Sequence, residues 1–482
     1  MIRYLCFRNF WIFLANMLTS SGSSDGSEYS IFDDWSDRFS VNQDIHYHSS
    51  RNLYKWLILL LYCLATFSLL FTHETLFGIS DILCDLYSIE RYQLVRSSDA
   101  FLVIQTIALL IGGFYASRYG LCQTMVVGSG ISVISTSIYF AATQKGGYPF
   151  FFVAVMINSL SHGLLQPLPP LIISKLFPEK QRIIATNIAI TFGGTVGIAG
   201  ALLIRVYIFS DPVTNIDINY VEKRLLLIVG GQAALAISIF TFVISFVRER
   251  RSSSFLQNLT PCSLERLSFS DSIKCVKLLV KSVNFHFAAH SMAVPAATIV
   301  IVPTILHALI SQDLPKHDIT VNWLIFASTL SQLPGVAVIS NITDRSKRYK
   351  LTASCISLLA AAGWLCFSQT LQHSQKVIYL FVSYCMTTFF SASYPGIVIK
   401  VIHDITYPIP PYIAYTIVLM LRNIYIISLK FLTSWLIQQK YHHHTLWLLS
   451  GMFLFSFLLI LLTRSHEKTS RDSSDQVSVS SR

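Results

Sequence analysis

The sequence predicts an all-α membrane protein of about twelve transmembrane helices in two groups of six. Three observations carry this expectation. The chain is apolar for its length, with 53% hydrophobic and only 13% charged residues among 482 and a mean hydropathy of +0.55, whereas ordinary globular chains are roughly a quarter charged. Apolar runs then recur along nearly the whole sequence, each close to the ~20 residues that cross a bilayer as a helix. Basic residues, finally, gather in alternate connections between those runs, which is how loops fix orientation. The net charge of +11 therefore belongs to topology, and no nucleic-acid partner is expected.

Taken in order, residues 1–18 hold the apolar stretch FWIFLANML, but Arg8 and Asn9 interrupt its approach and no clear cleavage site follows, so a signal peptide is not favoured. Residues 19–50 are rich in Ser and Asp and read as a disordered tail, which places a cytoplasmic segment over 1–52. The apolar runs fall at about 53–79, 99–117, 120–142, 149–174, 182–209 and 224–246, then 277–310, 320–342, 350–370, 376–401, 411–437 and 444–463. They define an N-terminal bundle over 53–246 and a C-terminal bundle over 277–463, joined by a polar linker over 247–276 that begins with RERR. A charged, Ser-rich tail fills 464–482. Lys175, Lys180, Arg182, Arg248, Arg345, Lys347, Arg348, Lys350 and Arg464 all follow even-numbered runs. The opposite connections carry acids, among them Asp81, Asp85, Glu90, Asp211 and Asp217. Both termini and the linker are thus expected on the cytoplasmic side, and the sequons at Asn258 and Asn341 should carry no glycan.

Polar residues inside the apolar runs mark the candidate site, because a polar or charged side chain in hydrocarbon must face protein partners or water. Asn158, His162 and Gln166 recur every four residues and share one helix face. After Pro169 and Pro170 that segment runs to Lys175, turns through Phe177-Pro178-Glu179-Lys180 and restarts near Arg182. Arg422 stands midway along LMLRNIYIIS, where a charge costs several kcal/mol unless it has water or a partner; a structural ion pair is the alternative to a solute contact. His73 beside Glu74 reads either as a pocket residue or as an interfacial pair, and His286 and His290 are second choices. The nine cysteines are scattered, mostly within apolar runs, and form neither a disulfide framework nor a metal-ligand spacing. No Walker lysine, HExxH or GxSxG is present, so no enzyme, cofactor or metal is expected.

Two six-helix halves with basic second-to-third and eighth-to-ninth connections resemble the major facilitator superfamily. Its loop signature is matched in GFYASRYG (residues 113–120) by Gly113, Arg118 and Gly120, with Ser117 where an acid is usual; SNITDRSKRYK keeps Asp344, Arg345 and Lys350. Within the superfamily, three stretches resemble the feline leukaemia virus subgroup C receptor family of haem, choline and related transporters: KWLILLLYCL, PPLIISKLFPEKQRIIAT and HDITYP, the last containing Asp404. Pro411 replaces a second acid of that family. The resemblance implies the major facilitator fold and gating roles for Arg118, Asp344, Arg345 and Asp404. It also implies a pocket in which the family's aromatic contact falls on His73, its fourth-helix Gln on His162 and its eleventh-helix Gln on Asn423, with Gln166 and Arg422 beside them. An imidazole binds a quaternary ammonium less well than a Trp face, which disfavours choline here.

The expected function is therefore a monomeric secondary transporter moving a small organic solute by alternating access through a plasma or organelle membrane. Choline, ethanolamine, haem and vitamins are the solute classes to consider, and a proton is the candidate coupled ion. A transport-inactive receptor or scaffold with the same helices is the alternative.

Overall fold

Every element that the computed structural model describes is helical, and what sets them apart is where each run is cut. Described residues are 34–209, 218–249, 269–313, 318–373, 377–407, 409–439 and 441–464. The apolar stretch within residues 1–18, Asp211 and Asp217, most of the linker and the tail after Arg464 lie outside them. Two units, Met1–Tyr54 and Lys55–Arg482, divide the chain, and the account below concerns the second except where a helix crosses the boundary.

The first helix, α1, runs Asp34–Gly78 with its apolar span over Leu53–Gly78. Its backbone is helical over 34–50, where composition led to the expectation of a disordered tail. The segment holds no Pro or Gly to stop the turns propagating back from the span. The short α2, Ser80–Tyr87, lies in the expected first loop: Ile82, Leu83, Leu86 and Tyr87 are buried, and Tyr87 Oη donates to Ala142 O at 2.8 Å. Burial raises the Tyr87 phenol pKa.

Among the described residues eleven helical segments are long and apolar enough to cross a membrane, and one of them is long enough to cross twice. α3, Arg91–Ala141, has 51 residues, or ~75 Å at ~1.5 Å per residue, more than twice the ~30 Å hydrocarbon thickness. It turns at Gly120, whose φ of 81° and ψ of 179° lie in a region essentially reserved for glycine. Space is not the constraint, since a Cβ there would meet nothing within 4 Å. The loop signature's second glycine is thus explained by backbone conformation, and the described helices are long enough for twelve crossings.

The fourth and tenth spans are each cut in two. α4, Tyr148–Leu165, stops before Pro167, and α5, Pro169–Leu176, completes the span. α12, Val377–Ser391, and α13, Tyr394–Thr406, repeat the break near Pro395. Proline lacks the N–H that would continue the ladder, so Gln166 and Ser393 sit at corresponding interruptions of the two halves. Between them come α6, Arg182–Phe209, α7, Ile218–Glu249, α9, Val283–Asp313, α10, Asp318–Ser346, and α11, Tyr349–His373. α14, Pro411–Gln438, and α15, His442–Leu462, close the chain.

One boundary differs from the sequence expectation. The seventh span was expected from 277, after a linker reaching 276; instead α8, Phe269–Lys281, forms a separate helix. The break falls at Ser282, whose Oγ accepts from Phe285 N at 3.3 Å, an N-cap that starts α9 anew. Leu279 and Ser272 of α8 are buried, while Lys274 pairs outward with Asp271 at 2.9 Å.

Close packing brings α3 onto α4. A Cβ on Gly112 would stand 2.3 Å from Gly163 O, so backbone meets backbone here, as at small-residue interfaces between membrane helices. Replacing Gly120 by Ala should cost about 1–3 kcal/mol by forcing a forbidden backbone region. The measurement is thermal inactivation of the detergent-solubilised chain, and an unshifted profile would refute the glycine-only turn.

Candidate functional site

Two antiparallel seams join the first six spans to the last six. Along α3 and α14, Asp99 meets Lys430 at 2.5 Å, Thr106 Oγ1 accepts from Asn423 Nδ2 at 3.1 Å, and a Cβ on Gly113 would lie 2.8 Å from Thr416 Oγ1. These pairs step by seven residues on both helices, so the same faces stay in contact turn after turn. Along α6 and α10, Ile184 N donates to Asp344 Oδ2 at 3.3 Å, Asn187 Nδ2 to Ser340 Oγ at 2.8 Å, and Thr195 Oγ1 to Gln332 Oε1 at 3.0 Å.

At mid-depth of the first seam the polar side chains form one network, with Gln105 at its hub. Gln105 Nε2 lies 2.6 Å from His162 Nδ1 and donates to Gln166 Oε1 at 3.1 Å. Its Oε1 accepts from Asn423 Nδ2 at 3.4 Å. In this orientation Nδ1 of His162 accepts, which is the arrangement of a neutral ring with its proton on Nε2. Arg422 Nη2 donates to Gln166 Oε1 at 3.1 Å and to Asn423 Oδ1 at 2.9 Å, and its Nε reaches Asn423 Oδ1 at 3.3 Å. Gln105, His162 and Asn423 are buried. By helix rise Asn423 lies ~18 Å from Pro411 and Gln105 ~22 Å from Gly120, so both stand near the middle of the span.

The structure thus brings together four of the five residues expected in the pocket: His162, Gln166, Arg422 and Asn423. His73 joins through rings. It stacks on Phe77 at 4.5 Å and meets the tilted Phe101 ring at 4.2 Å, and Phe101 lies 6.0 Å from His162. Glu74 Oε1 is 3.6 Å from His73 Nδ1, too far for a hydrogen bond, and neither ring nitrogen has a hydrogen-bond partner. Asn158, one turn from His162, is fully buried with both side-chain atoms unpartnered. His290 bonds Tyr425 Oη at 3.0 Å, away from the network's contacts, and His286 Nε2 lies 2.7 Å from Val280 O.

Of the expected gating residues, Asp344 crosses between halves at the start of α6, where a carboxylate meets the positive end of the helix. Asp404 pairs with Lys400 at 2.7 Å, and Lys400 also stands 3.9 Å from Glu179. Arg118 lies over the Tyr119 ring at 5.7 Å, at the end of the other seam, and Arg345 is exposed. Sequence reasoning missed Gln105, Thr106, Asn187, Lys400 and the Asp99–Lys430 pair. Gln105, a lone amide within FLVIQTIALL, carries the signal that singled out Arg422.

The chain is a multi-pass membrane protein with the major facilitator fold. Among solved structures it superimposes on the fucose:proton symporter FucP of E. coli with a TM-score of 0.67 at 13% identity, covering 85% of this chain and 99% of that one. The proton:xylose symporter XylE gives 0.65 at 13% identity, covering 86% and 97%. The family described as "Sugar (and other) transporter" matches residues 46–256. Curated relatives include the choline/ethanolamine transporter FLVCR2 of Rattus norvegicus, 19% identical over 337 residues that make up 69% of this chain and 60% of the relative. The Homo sapiens FLVCR2 is 21% identical, covering 69% and 62%, and an uncharacterized MFS-type transporter of Caenorhabditis elegans is 22% identical, covering 68% and 55%. The chain therefore spans somewhat under two thirds of the length of these relatives. The likeness to FucP and XylE shows the major facilitator fold, and the likeness to the FLVCR2 transporters agrees with the resemblance to the subgroup C receptor family.

Removing the hub should loosen the network as a whole. Gln105→Ala leaves the Asn423 amide and the His162 ring each short of a buried partner, a loss of about 1–3 kcal/mol per group. Thermal stability of the purified chain should fall accordingly, and no change would show that these groups are satisfied without Gln105.

Proposed function

We propose that this chain is a secondary transporter that moves a small organic solute by alternating access, with the solute taken up beside Gln105, His162, Gln166, Arg422 and Asn423. The observation that carries the reading is the placement of this polar network. It lies at mid-depth, at the interrupted fourth span and on a seam between the two halves, which is where facilitator-type sites sit. A structural ion pair would not require amides from three separate elements.

Alternating access needs contacts that one state makes and the other breaks. Asp344 on the α6 terminus, Asn187 bridging Ser340 and Gly396 N, and Lys400 between Glu179 and Asp404 are such contacts on the basic face. The Asp99–Lys430 pair holds the opposite end of the other seam. A charge-assisted hydrogen bond is worth about 1.5–3 kcal/mol, enough to shift a two-state balance roughly tenfold or more. FucP and XylE are named as proton symporters. His162, the ionisable imidazole in the network, is the proposed proton carrier of this chain.

The test is uptake and efflux across choline, ethanolamine, haem, vitamins and amino acids in a null background. A transported solute should show a pH-dependent rate that His162→Ala flattens at equal surface abundance. Asp344→Ala should change that rate more than the half-saturation concentration. Absence of flux for every solute class would sink the transport reading, and a rate indifferent to Asp344→Ala would remove the latch.

Orientation follows the basic residues: both termini and the linker face the cytoplasm. A cysteine placed within the 250–268 segment should resist a membrane-impermeant thiol reagent applied to intact cells and react after permeabilisation. Labelling from outside would reverse the topology.

A further inference from the structure

Arg422 is charged at mid-depth and has no counter-charge among the described residues. Its Nε and Nη2 donate only to the neutral oxygens of Gln166 and Asn423. Among the described residues no Asp or Glu forms an ion pair with it. Lys400, near the end of the tenth span, and Lys430, further along α14, each have a carboxylate, Asp404 at 2.7 Å and Asp99 at 2.5 Å. The contrast matters because a cation far from water needs an opposite charge more, not less, than one near a helix end.

The donors around Arg422 also outnumber the acceptors. Its Nη1 has no hydrogen-bond partner among the described residues. The side-chain nitrogen of Gln166 donates to none either, since both contacts of that amide use Oε1. Oxygens that face Arg422 are already engaged: Asn423 Oδ1 takes both Nε and Nη2, and Gln166 Oε1 takes Gln105 and Arg422. What the cluster lacks is an acceptor with negative charge. A planar guanidinium supplies paired N–H groups that match a carboxylate or phosphate edge.

Resting on the transport reading above, we propose that the solute of this site carries an anionic group, a carboxylate or phosphate, received by Arg422 and the Gln166 amide. A purely cationic solute would enter against an uncompensated guanidinium. Glu74, half-exposed beside His73, offers a second, acidic group for a cationic moiety of the same solute, so zwitterions fit as well as simple anions.

Three probes of similar shape separate these chemistries: choline, glycine betaine, which has the same ammonium plus a carboxylate, and the anion of tert-butylacetic acid, the carbon isostere of betaine. Binding to the purified full chain in detergent is read by ligand-dependent thermal stabilisation. Betaine or the tert-butylacetic anion should bind at least about tenfold more tightly than choline. Arg422→Gln should erase that preference and Arg422→Lys should keep part of it. Binding of both carboxylate probes makes the negative group sufficient; binding of betaine alone makes the site zwitterion-selective, and Glu74→Gln should then weaken it. Choline binding as tightly as betaine, no binding of either carboxylate, or an anion preference that survives Arg422→Gln would overturn the assignment. Should Arg422→Gln fail to fold, the comparison of the three probes on the unaltered chain still decides. Choline flux without carboxylate binding would end this inference and leave the transport reading in place, whereas absence of flux for every solute would end the transport reading itself.

Discussion

A polar side chain in hydrocarbon has to find its partner across a helix seam, and the two seams of this protein are organised by that requirement. On α3 and α14 the contacts from Asp99 to Thr416 recur at two-turn intervals, so a single pair of faces carries the ion pair, the amide network and the small-residue contact in turn. On α6 and α10 the polar residues are Ile184 N with Asp344, Asn187 with Ser340, and Thr195 with Gln332. Neither seam is a purely apolar zipper. Helices in lipid gain little from burying leucine against leucine, since lipid is as apolar as the partner. Hydrogen bonds and close backbone approach therefore decide which faces meet.

The seams differ in how tightly they are built. Gly396 presents its N–H to Asn187 Oδ1 at 3.1 Å, and a Cβ there would fall 2.0 Å from that oxygen. The α6 end is thus held by a buried amide wedged against bare backbone. The α3 and α14 seam instead passes through the Gln105 network, whose members have donors to spare. On the proposed transport reading, the first of these suits a switch between states and the second suits recognition of the solute.

Much of this was legible in the sequence, and the reasons are physical. Span count and position follow from hydropathy because every backbone group in lipid must be satisfied within a helix. The turn at Gly120 was readable from GFYASRYG because only glycine takes its conformation freely. Arg422 was found by the cost of its charge, and His162 with Gln166 by their four-residue spacing. Gln105 escaped because it belongs to no stripe of its own helix; its partners lie on α4 and α14, and a pairing across helices has no periodicity to read. Asn187 and Lys400 escaped for the same reason. The separate α8 could have been inferred from Ser282 ahead of an apolar run, since serine caps helix starts, but hydropathy merged the two. The helix over 34–50 was misread because polar composition opposes burial without opposing helix formation.

The asymmetry of the two interrupted spans gives the last step. Both halves break at corresponding prolines, but the first break exposes Gln166 to Arg422, whereas at the second Ser393 Oγ turns away to Gly335 O at 3.1 Å. Tyr394 is likewise occupied, with Ser456 at 2.7 Å. The side chains at the second break are satisfied within their own half, and the Gly396 N–H beside them is taken by Asn187. Polar groups left with unmet capacity therefore collect on the first half's side of the α3 and α14 seam, and the C-terminal half contributes to them chiefly through one helix, α14. In this architecture the charge of Arg422 is the C-terminal half's main offering to the network. Movement of α14 relative to α3 would separate the guanidinium from Gln166 and Asn423 from Gln105 in the same step, which on the proposed transport reading ties the affinity for the solute to the state of the seam.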